Sequence, residues 1–167
     1  MNERSGSRGR LVVIGVGHRD RGDDGIGPAV VDAVSDRTDQ MTTFVLEGDL
    51  AQLPLLWELD DDVFIVDASV TSLGQAGIMS EIDPDCLASS NGMSTHGVSV
   101  ADAIRLAQQL GRSPERLRVM GIGGHDFDRG PMSQALRQRV DALADEVLAL
   151  LGSGRNEWAN DSSVSAG

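Results

Sequence analysis

Short aliphatic runs that alternate with helical patterns constrain the fold of this 167-residue chain more than any other feature. Residues 11–14 (Leu-Val-Val-Ile) and 63–66 (Val-Phe-Ile-Val) contain no polar position, which is typical of strands buried on both faces of a parallel sheet. Between them, apolar residues recur at helical spacing from Ile26 to Val34, and Pro28 falls early in this helix, where proline is tolerated. This alternation predicts an α/β protein with a mostly parallel, twisted sheet between two layers of helices.

The remaining pattern predicts one domain with polar ends. Further strands are predicted at residues 42–46, 75–82 (an edge strand) and 117–121, and further helices at residues 50–56, 98–110 and 132–151. Residues 1–9 are polar and rich in Gly, Ser and Arg, which indicates a flexible leader, and residues 152–167 predict a disordered tail because they contain little that can pack. We therefore expect a single three-layer α/β/α sandwich over residues 10–151.

Composition and charge exclude several classes of protein. Fourteen basic against 26 acidic residues give a net charge of −12, which opposes binding to nucleic acid and to anionic membranes. No apolar run reaches the roughly 18 residues of a membrane span, and residues 1–10 lack the apolar stretch of a secretion signal, so a cytoplasmic protein is expected. A single cysteine, Cys86, excludes an internal disulfide framework and a Cys-based zinc cluster, and we interpret it as a packing residue. None of these features specifies an oligomeric state.

Polar residues cluster where predicted strands end, which is where open α/β sheets bind ligands. The first strand leads into Gly-Val-Gly-His-Arg-Asp-Arg-Gly-Asp-Asp-Gly at residues 15–25. The third leads into Asp67-Ala68-Ser69, and Ser94-Thr95-His96-Gly97 precedes a predicted helix. These three segments are the candidate site.

The first of these segments partly matches a dinucleotide-binding loop. That fingerprint requires G-x-G-x-x-G after a strand; Gly15 and Gly17 fit it, but Asp20 stands at the third glycine. Asp23 and Asp24 then fall where a pyrophosphate would approach the helix, and their charge would repel it. A nucleotide-binding regulator therefore remains only the weakest alternative, and we expect no organic cofactor.

The same carboxylates are better explained as cation ligands. Asp24 lies at a helix start, which favours its ionised form, and Asp67 follows four apolar residues, where a carboxylate is costly unless it is paired or binds a cation. His96 lies near another helix start, where the helix dipole disfavours the imidazolium form. Two carboxylates and one imidazole suit a divalent transition metal. Taken singly, Asp23 or Asp24 is more often a helix cap, Asp67 is also explained as the cap of the loop after its strand, and His96 as an ordinary surface histidine.

Several motifs together resemble one known family. Residues 15–18 (Gly-Val-Gly-His) and 23–27 (Asp-Asp-Gly-Ile-Gly) resemble the signature of nickel-iron hydrogenase maturation endopeptidases, which reads G-x-G-N, four residues, then D-[DE]-G-x-G. Residues 63–68 resemble the family's second block, residues 94–102 its third and residues 117–123 its late strand. The resemblance covers nearly all of the predicted domain.

This resemblance implies a sandwiched, twisted sheet and a specific task. Family members remove a C-terminal extension from the hydrogenase large-subunit precursor once nickel has been inserted, and they contact that nickel, which the substrate supplies. Their ligands correspond here to Asp24, Asp67 and His96. His18 replaces the usual Asn and is either an added ligand or a changed hydrogen bond in the loop. Residues 47–49 (Glu-Gly-Asp) match the family's acidic-Gly-Gly turn only loosely, which leaves substrate specificity open.

The leading hypothesis is therefore a substrate-activated endopeptidase of hydrogenase maturation. The chain has no evident Ser/His/Asp or Cys/His arrangement and no H-E-x-x-H zinc signature, so the metal is the natural electrophile. Asp24 is the candidate general base. The rival hypothesis is a non-catalytic checkpoint module that binds the nickel-loaded precursor and releases it uncut.

Overall fold

A mostly parallel sheet forms the centre of the molecule. The computed structural model describes residues 9–70, 75–83 and 98–157. The strands among these residues are β1 (Leu11–Val16), β2 (Thr42–Leu46), β3 (Asp62–Val70), β4 (Met79–Ile82) and β5 (Arg116–Gly124). They form one sheet in the order β2-β1-β3-β5-β4, in which only β4, at the edge, runs antiparallel to its neighbour. The predicted α/β class is confirmed, and the predicted edge strand is present but begins at Met79 instead of residue 75, because residues 75–77 form a turn.

Helices connect these strands. The α-helices of the described part are α1 (Ile26–Arg37), α2 (Val100–Gln109), α3 (Gln134–Arg137) and α4 (Val140–Glu157), and 3₁₀ helices span Gly22–Gly25 and Leu50–Leu55. Helix α2 begins at a capping box, in which Ser99 and Asp102 satisfy each other's backbone amides. The single last helix predicted from the sequence is two helices, α3 and α4. No helix in the described part is long and apolar enough to cross a membrane.

The two faces of the sheet carry separate cores. Val13 and Phe64 face one side, where they pack with residues of α1 and α4. Ile14 and Ile65, the next residues along the same strands, face the other side and pack with Trp57 and residues of α2. Because successive side chains of a strand point to opposite faces, a strand covered on both sides must be apolar at every position. The three-layer sandwich expected from the sequence is therefore present.

One strand is longer than its apolar run. The sequence indicates a strand that ends at residue 66, with Asp67 just beyond its tip. Instead β3 continues to Val70, because β5 provides hydrogen-bonding partners as far as Gly124. Asp67 therefore lies within β3, opposite Gly121 of β5. On its other side, the pairing with β1 ends at Gly15 and Val66, so Asp67 lies one residue past the last paired position, level with the end of β1 at Val16.

The end of the last helix lies beyond its predicted position. Helix α4 continues to Glu157, whereas the sequence predicts an end at residue 151, and residues 158–167 of the predicted tail lie outside the described residues. Gly152 does not stop the helix because a glycine costs a helix only about 1 kcal/mol relative to alanine. At the other end, residues 1–8 lie outside the described part, whereas Gly9 packs so tightly that a Cβ there would lie 1.7 Å from the carbonyl oxygen of Asp60.

Candidate functional site

The strand order places a crevice at the carboxyl ends of β1 and β3. From β1 the chain crosses to β2 on one side, and β3 then pairs with β1 on the other side. In open α/β sheets, such a reversal separates the two flanking connections and leaves a cleft that binds ligands. The loop that follows β1 and the last part of β3 border this cleft. Both segments carry predicted site residues.

Glycines allow the loop after β1 to pack tightly against neighbouring backbone. A Cβ on Gly15 would lie 2.6 Å from the carbonyl oxygen of Gly27, and one on Gly27 would lie 2.4 Å from that of Val16. Gly17 has φ +137°, and a Cβ there would lie 1.9 Å from the carbonyl oxygen of Asp24. The chain's own backbone thus fills the space in front of these glycines. This packing argues against the nucleotide-binding alternative, which would need that space for phosphate.

Asp23 is turned into the protein. Its side chain is fully buried, and its carboxylate accepts hydrogen bonds from the backbone N–H groups of His125 (3.0 Å), Asp126 (3.1 Å) and Ser133 (2.9 Å). Burial acts to raise the pKa of Asp23, but these hydrogen bonds outweigh burial and hold the pKa below its usual range. Asp23 is therefore an internal anion that the protein itself satisfies.

The neighbouring Asp24 has a different environment. It is only partly buried, and its Oδ2 accepts a hydrogen bond from the backbone N–H of His18 at 2.8 Å. This bond holds the carboxylate beside the loop that leaves β1. The Asp24 carboxylate also acts electrostatically on Asp67 across the cleft, since its negative charge is one of the factors that raise the pKa of Asp67.

Asp67 is the most perturbed carboxyl group of the cleft. It is partly buried, and its Oδ1 accepts a hydrogen bond from the backbone N–H of Ala68 at 2.8 Å. Burial and, to a smaller degree, the Asp24 carboxylate raise the pKa of Asp67 to about 7, although the Ala68 hydrogen bond acts in the opposite direction. At neutral pH the group is therefore divided between its acid and its carboxylate form.

No cation of the described chain neutralises this pair. Within residues 9–70, 75–83 and 98–157, neither Asp24 nor Asp67 forms a salt bridge. Arg19 lies on the same loop as Asp24, but its guanidinium pairs with Asp32 and with Glu47, the latter at 2.9 Å. Two carboxylates that share a cleft without a counter-charge favour either a shared proton or an incoming cation.

The third predicted ligand, His96, lies outside the described residues, as does Cys86. Among the residues that are described, no three His, Cys, Asp or Glu side chains lie close enough together to hold a metal ion. His18 therefore does not complete a three-ligand set with Asp24 and Asp67 in this structure. The participation of His96 stays a prediction.

Sequence reasoning missed the loop of residues 125–133, which follows β5 and packs against the turn that carries Asp23 and Asp24. The sequence around His125 indicates only a loop, and nothing in it pairs two segments about 100 residues apart. Glycine and proline at residues 130 and 131 indicate a turn, but they do not indicate its partner. The separate roles of Asp23 and Asp24 depend on this long-range contact.

Comparison with known proteins gives a consistent picture. The family model described as "HycI: Hydrogenase maturation protease" matches residues 48–150. The hydrogenase 2 maturation protease of Escherichia coli (strain K12) is 28% identical over 150 residues, which are 85% of this chain and 90% of that protein. The structure of the E. coli hydrogenase maturating endopeptidase HybD superposes with a TM-score of 0.68 and 24% identity, over 87% of this chain and 94% of that one. The NiFe hydrogenase maturation protease HycI from Thermococcus kodakarensis KOD1 gives a TM-score of 0.65 and 20% identity, over 88% and 95%.

Proposed function

Because this chain belongs to the hydrogenase maturation protease family, we propose that it removes the C-terminal extension of a hydrogenase large-subunit precursor after nickel insertion. The nickel of the precursor is then part of the substrate, and its presence is the feature that the enzyme recognises. One observation carries the proposal: Asp24 and Asp67 repel each other in a crevice at the carboxyl ends of the strands, with no counter-charge from the described residues. A cation that arrives with the substrate would relieve this repulsion.

The donor set fits a metal that is shared with the substrate. Two carboxylates, with the imidazole of His96 as the predicted third ligand, leave coordination positions open, unlike a closed four-ligand structural site. The cysteine thiolates that hold nickel in the precursor would occupy those positions. Binding would therefore depend on both molecules, which explains how an enzyme could reject a precursor without nickel.

The two carboxylates have different parts in the proposed hydrolysis. Contact with the precursor's nickel would direct the scissile carbonyl and a water molecule to the crevice, where the metal ion would supply polarisation of one or the other. Asp24, fixed by the His18 amide at 2.8 Å, is the candidate general base. Asp67, with a pKa of about 7, loses its proton as the cation approaches, because a nearby positive charge favours the carboxylate form.

The experiment uses the precursor in two states. The protein is incubated with nickel-loaded and with nickel-free large-subunit precursor, and the products are weighed by intact-mass spectrometry. Loss of the C-terminal peptide from the loaded form alone supports the proposal. Binding of the loaded form without cleavage would instead select the checkpoint module, and equal cleavage of both forms would refute recognition through nickel.

A further inference from the structure

A dense set of backbone contacts joins two loops at the carboxyl end of the sheet. We call residues 20–25 the acid turn and residues 125–133 the β5 loop. The N–H of Gly22 donates to the carbonyl of Gly130 (2.9 Å), and the N–H of Gly130 donates to that of Asp20 (2.8 Å). The N–H of Asp23 donates to the carbonyl of Asp126 at 2.6 Å. The two loops therefore lie backbone against backbone.

The carboxylate of Asp23 is the side chain that holds this junction together. Its Oδ2 accepts from His125 and Asp126, its Oδ1 accepts from Ser133, and the residue is 0% exposed. Charged hydrogen bonds of this kind are stronger than neutral ones, and a buried carboxylate without them would be costly. The β5 loop and the Asp23 anion thus depend on each other.

We propose that Asp23 is a positioning residue, which fixes the acid turn on the β5 loop so that the adjacent Asp24 faces the crevice. The carboxylate of Asp24 has no comparable anchor in the described residues, since the one hydrogen bond that it accepts there comes from the His18 backbone N–H. This inference deepens the proposed function, and the effect that it predicts on catalysis rests on that function. Loss of a residue that supports a ligand in this way lowers activity by about 10- to 100-fold.

The test is the substitution Asp23→Asn. It keeps the shape of the side chain but turns one acceptor oxygen into an amide group that cannot accept a hydrogen bond from an N–H. We expect kcat/KM for the loaded precursor to fall about 10- to 100-fold, because a displaced Asp24 is misplaced both as the candidate base and as a contact to the substrate's metal. The control is Asp128→Asn, which removes the same charge from an exposed position of the same loop and should leave kcat/KM unchanged.

A second readout reports the position of Asp24 without any substrate. Because the His18 N–H donates to Asp24 Oδ2, its hydrogen exchange should accelerate at least about tenfold in Asp23→Asn, while exchange at Val13 in β1 stays slow. Unchanged His18 exchange in the folded variant would overturn the proposal. If the wild-type protein does not cleave the loaded precursor, the proposed function fails, yet this exchange measurement still decides the positioning role.

A second variant covers the case in which Asp23→Asn does not fold. Gly22→Ala leaves every charge in place, but its Cβ would lie 2.3 Å from the Asp126 carbonyl oxygen and would push the two loops apart. Faster His18 exchange in Gly22→Ala, with Val13 still protected, supports the proposal. Wild-type exchange at His18 in this variant would contradict it.

Discussion

A pair of carboxyl groups at one end of the central sheet can be compared with a pair at the other, and the described residues supply cationic partners to only one of these pairs. At the amino end, Asp61 and Asp62 are buried, and each forms a salt bridge, with Arg10 at 2.7 Å and with Arg116 at 3.0 Å. At the carboxyl end, the described residues offer no such partner to the pair in the crevice. The first arrangement serves the fold, whereas the second leaves negative charge that no described residue neutralises.

The pKa values express this difference. Burial acts to raise the pKa of both Asp61 and Asp67. At Asp61, hydrogen bonds and charge from Arg10, together with the Glu58 N–H, outweigh burial and lower the pKa. At Asp67, the Asp24 carboxylate adds to the effect of burial, and the pKa rises to about 7. Burial acts in the same direction on both carboxyl groups, and the neighbouring charges decide the direction in which each pKa shifts.

The largest expected effect concerns cleavage. Asp67→Asn should lower cleavage of the nickel-loaded precursor by at least about 100-fold, because it removes a charge that we assign to contact with the metal. The matched control is Asp62→Asn, the same substitution in the same strand at the opposite end, which should cleave at the wild-type rate per folded molecule. Intact-mass time courses would measure both. Cleavage by Asp67→Asn within about threefold of wild type would remove this carboxylate from the mechanism.

The next effect concerns stability at the amino end. Asp61→Asn should lower the free energy of unfolding by about 2 kcal/mol, because the backbone N–H groups of Arg10 and Glu58 and the Arg10 guanidinium lose a charged acceptor. Urea denaturation at pH 7 would measure the loss. Cleavage per folded molecule should be unchanged, and a specific fall in kcat would contradict the division of roles between the two ends.

The two ends should also respond to pH with opposite signs. Folded Asp67 keeps its proton up to about pH 7, whereas an unfolded Asp releases it near pH 4, so stability should fall between about pH 4 and 7, by at most about 1.4 kcal/mol per unit. The pKa of Asp61 is lowered in the folded protein, so its ionised form stabilises the fold at neutral pH. This stability is lost only as the pH falls through the acidic range in which Asp61 takes up a proton. Denaturation from pH 3 to 8 would show this decline in wild type, and Asp67→Asn should lack it. An equally steep decline in the variant would refute the assignment.

The smallest effect is expected from metal removal. Treatment with a chelator should change the melting temperature of the free protein by less than about 1 °C, because a core on both faces of the sheet already supplies the stability that small metal-dependent domains lack. Differential scanning calorimetry before and after treatment would test this. A drop of many degrees, or stoichiometric zinc in the purified protein, would indicate a conventional resident metal instead.

The fold was predictable wherever burial alone determines local structure. The all-apolar run at residues 11–14 and the helical spacing from Ile26 to Val34 are properties of adjacent residues, and both predicted elements are present. The extension of β3 to Val70 was not predictable from its own sequence, because its polar positions are held in the strand by pairing with β5. Long-range pairing therefore set the strand length that places Asp67 beside the end of β1.

The candidate site was predictable only in part for the same reason. Asp24 and Asp67 could be identified as candidates from their positions near predicted strand and helix ends, and in the structure their charges interact. Asp23 looks equivalent to Asp24 in the sequence, yet its partners are residues 125, 126 and 133, more than 100 positions away. No local pattern specifies which of two adjacent carboxylates such a loop will bind.

Carboxyl titration by carbon NMR on the protein labelled at aspartate tests the contrast between the two ends most directly. Asp67 should titrate with a midpoint of about 7, while Asp61 should titrate below the ordinary range of an aspartate. In Asp24→Asn the Asp67 midpoint should fall, although it should stay above the ordinary value because burial remains. An Asp67 midpoint near 4 in the wild-type protein, unchanged in Asp24→Asn, would contradict a cleft that holds uncompensated charge for a cation.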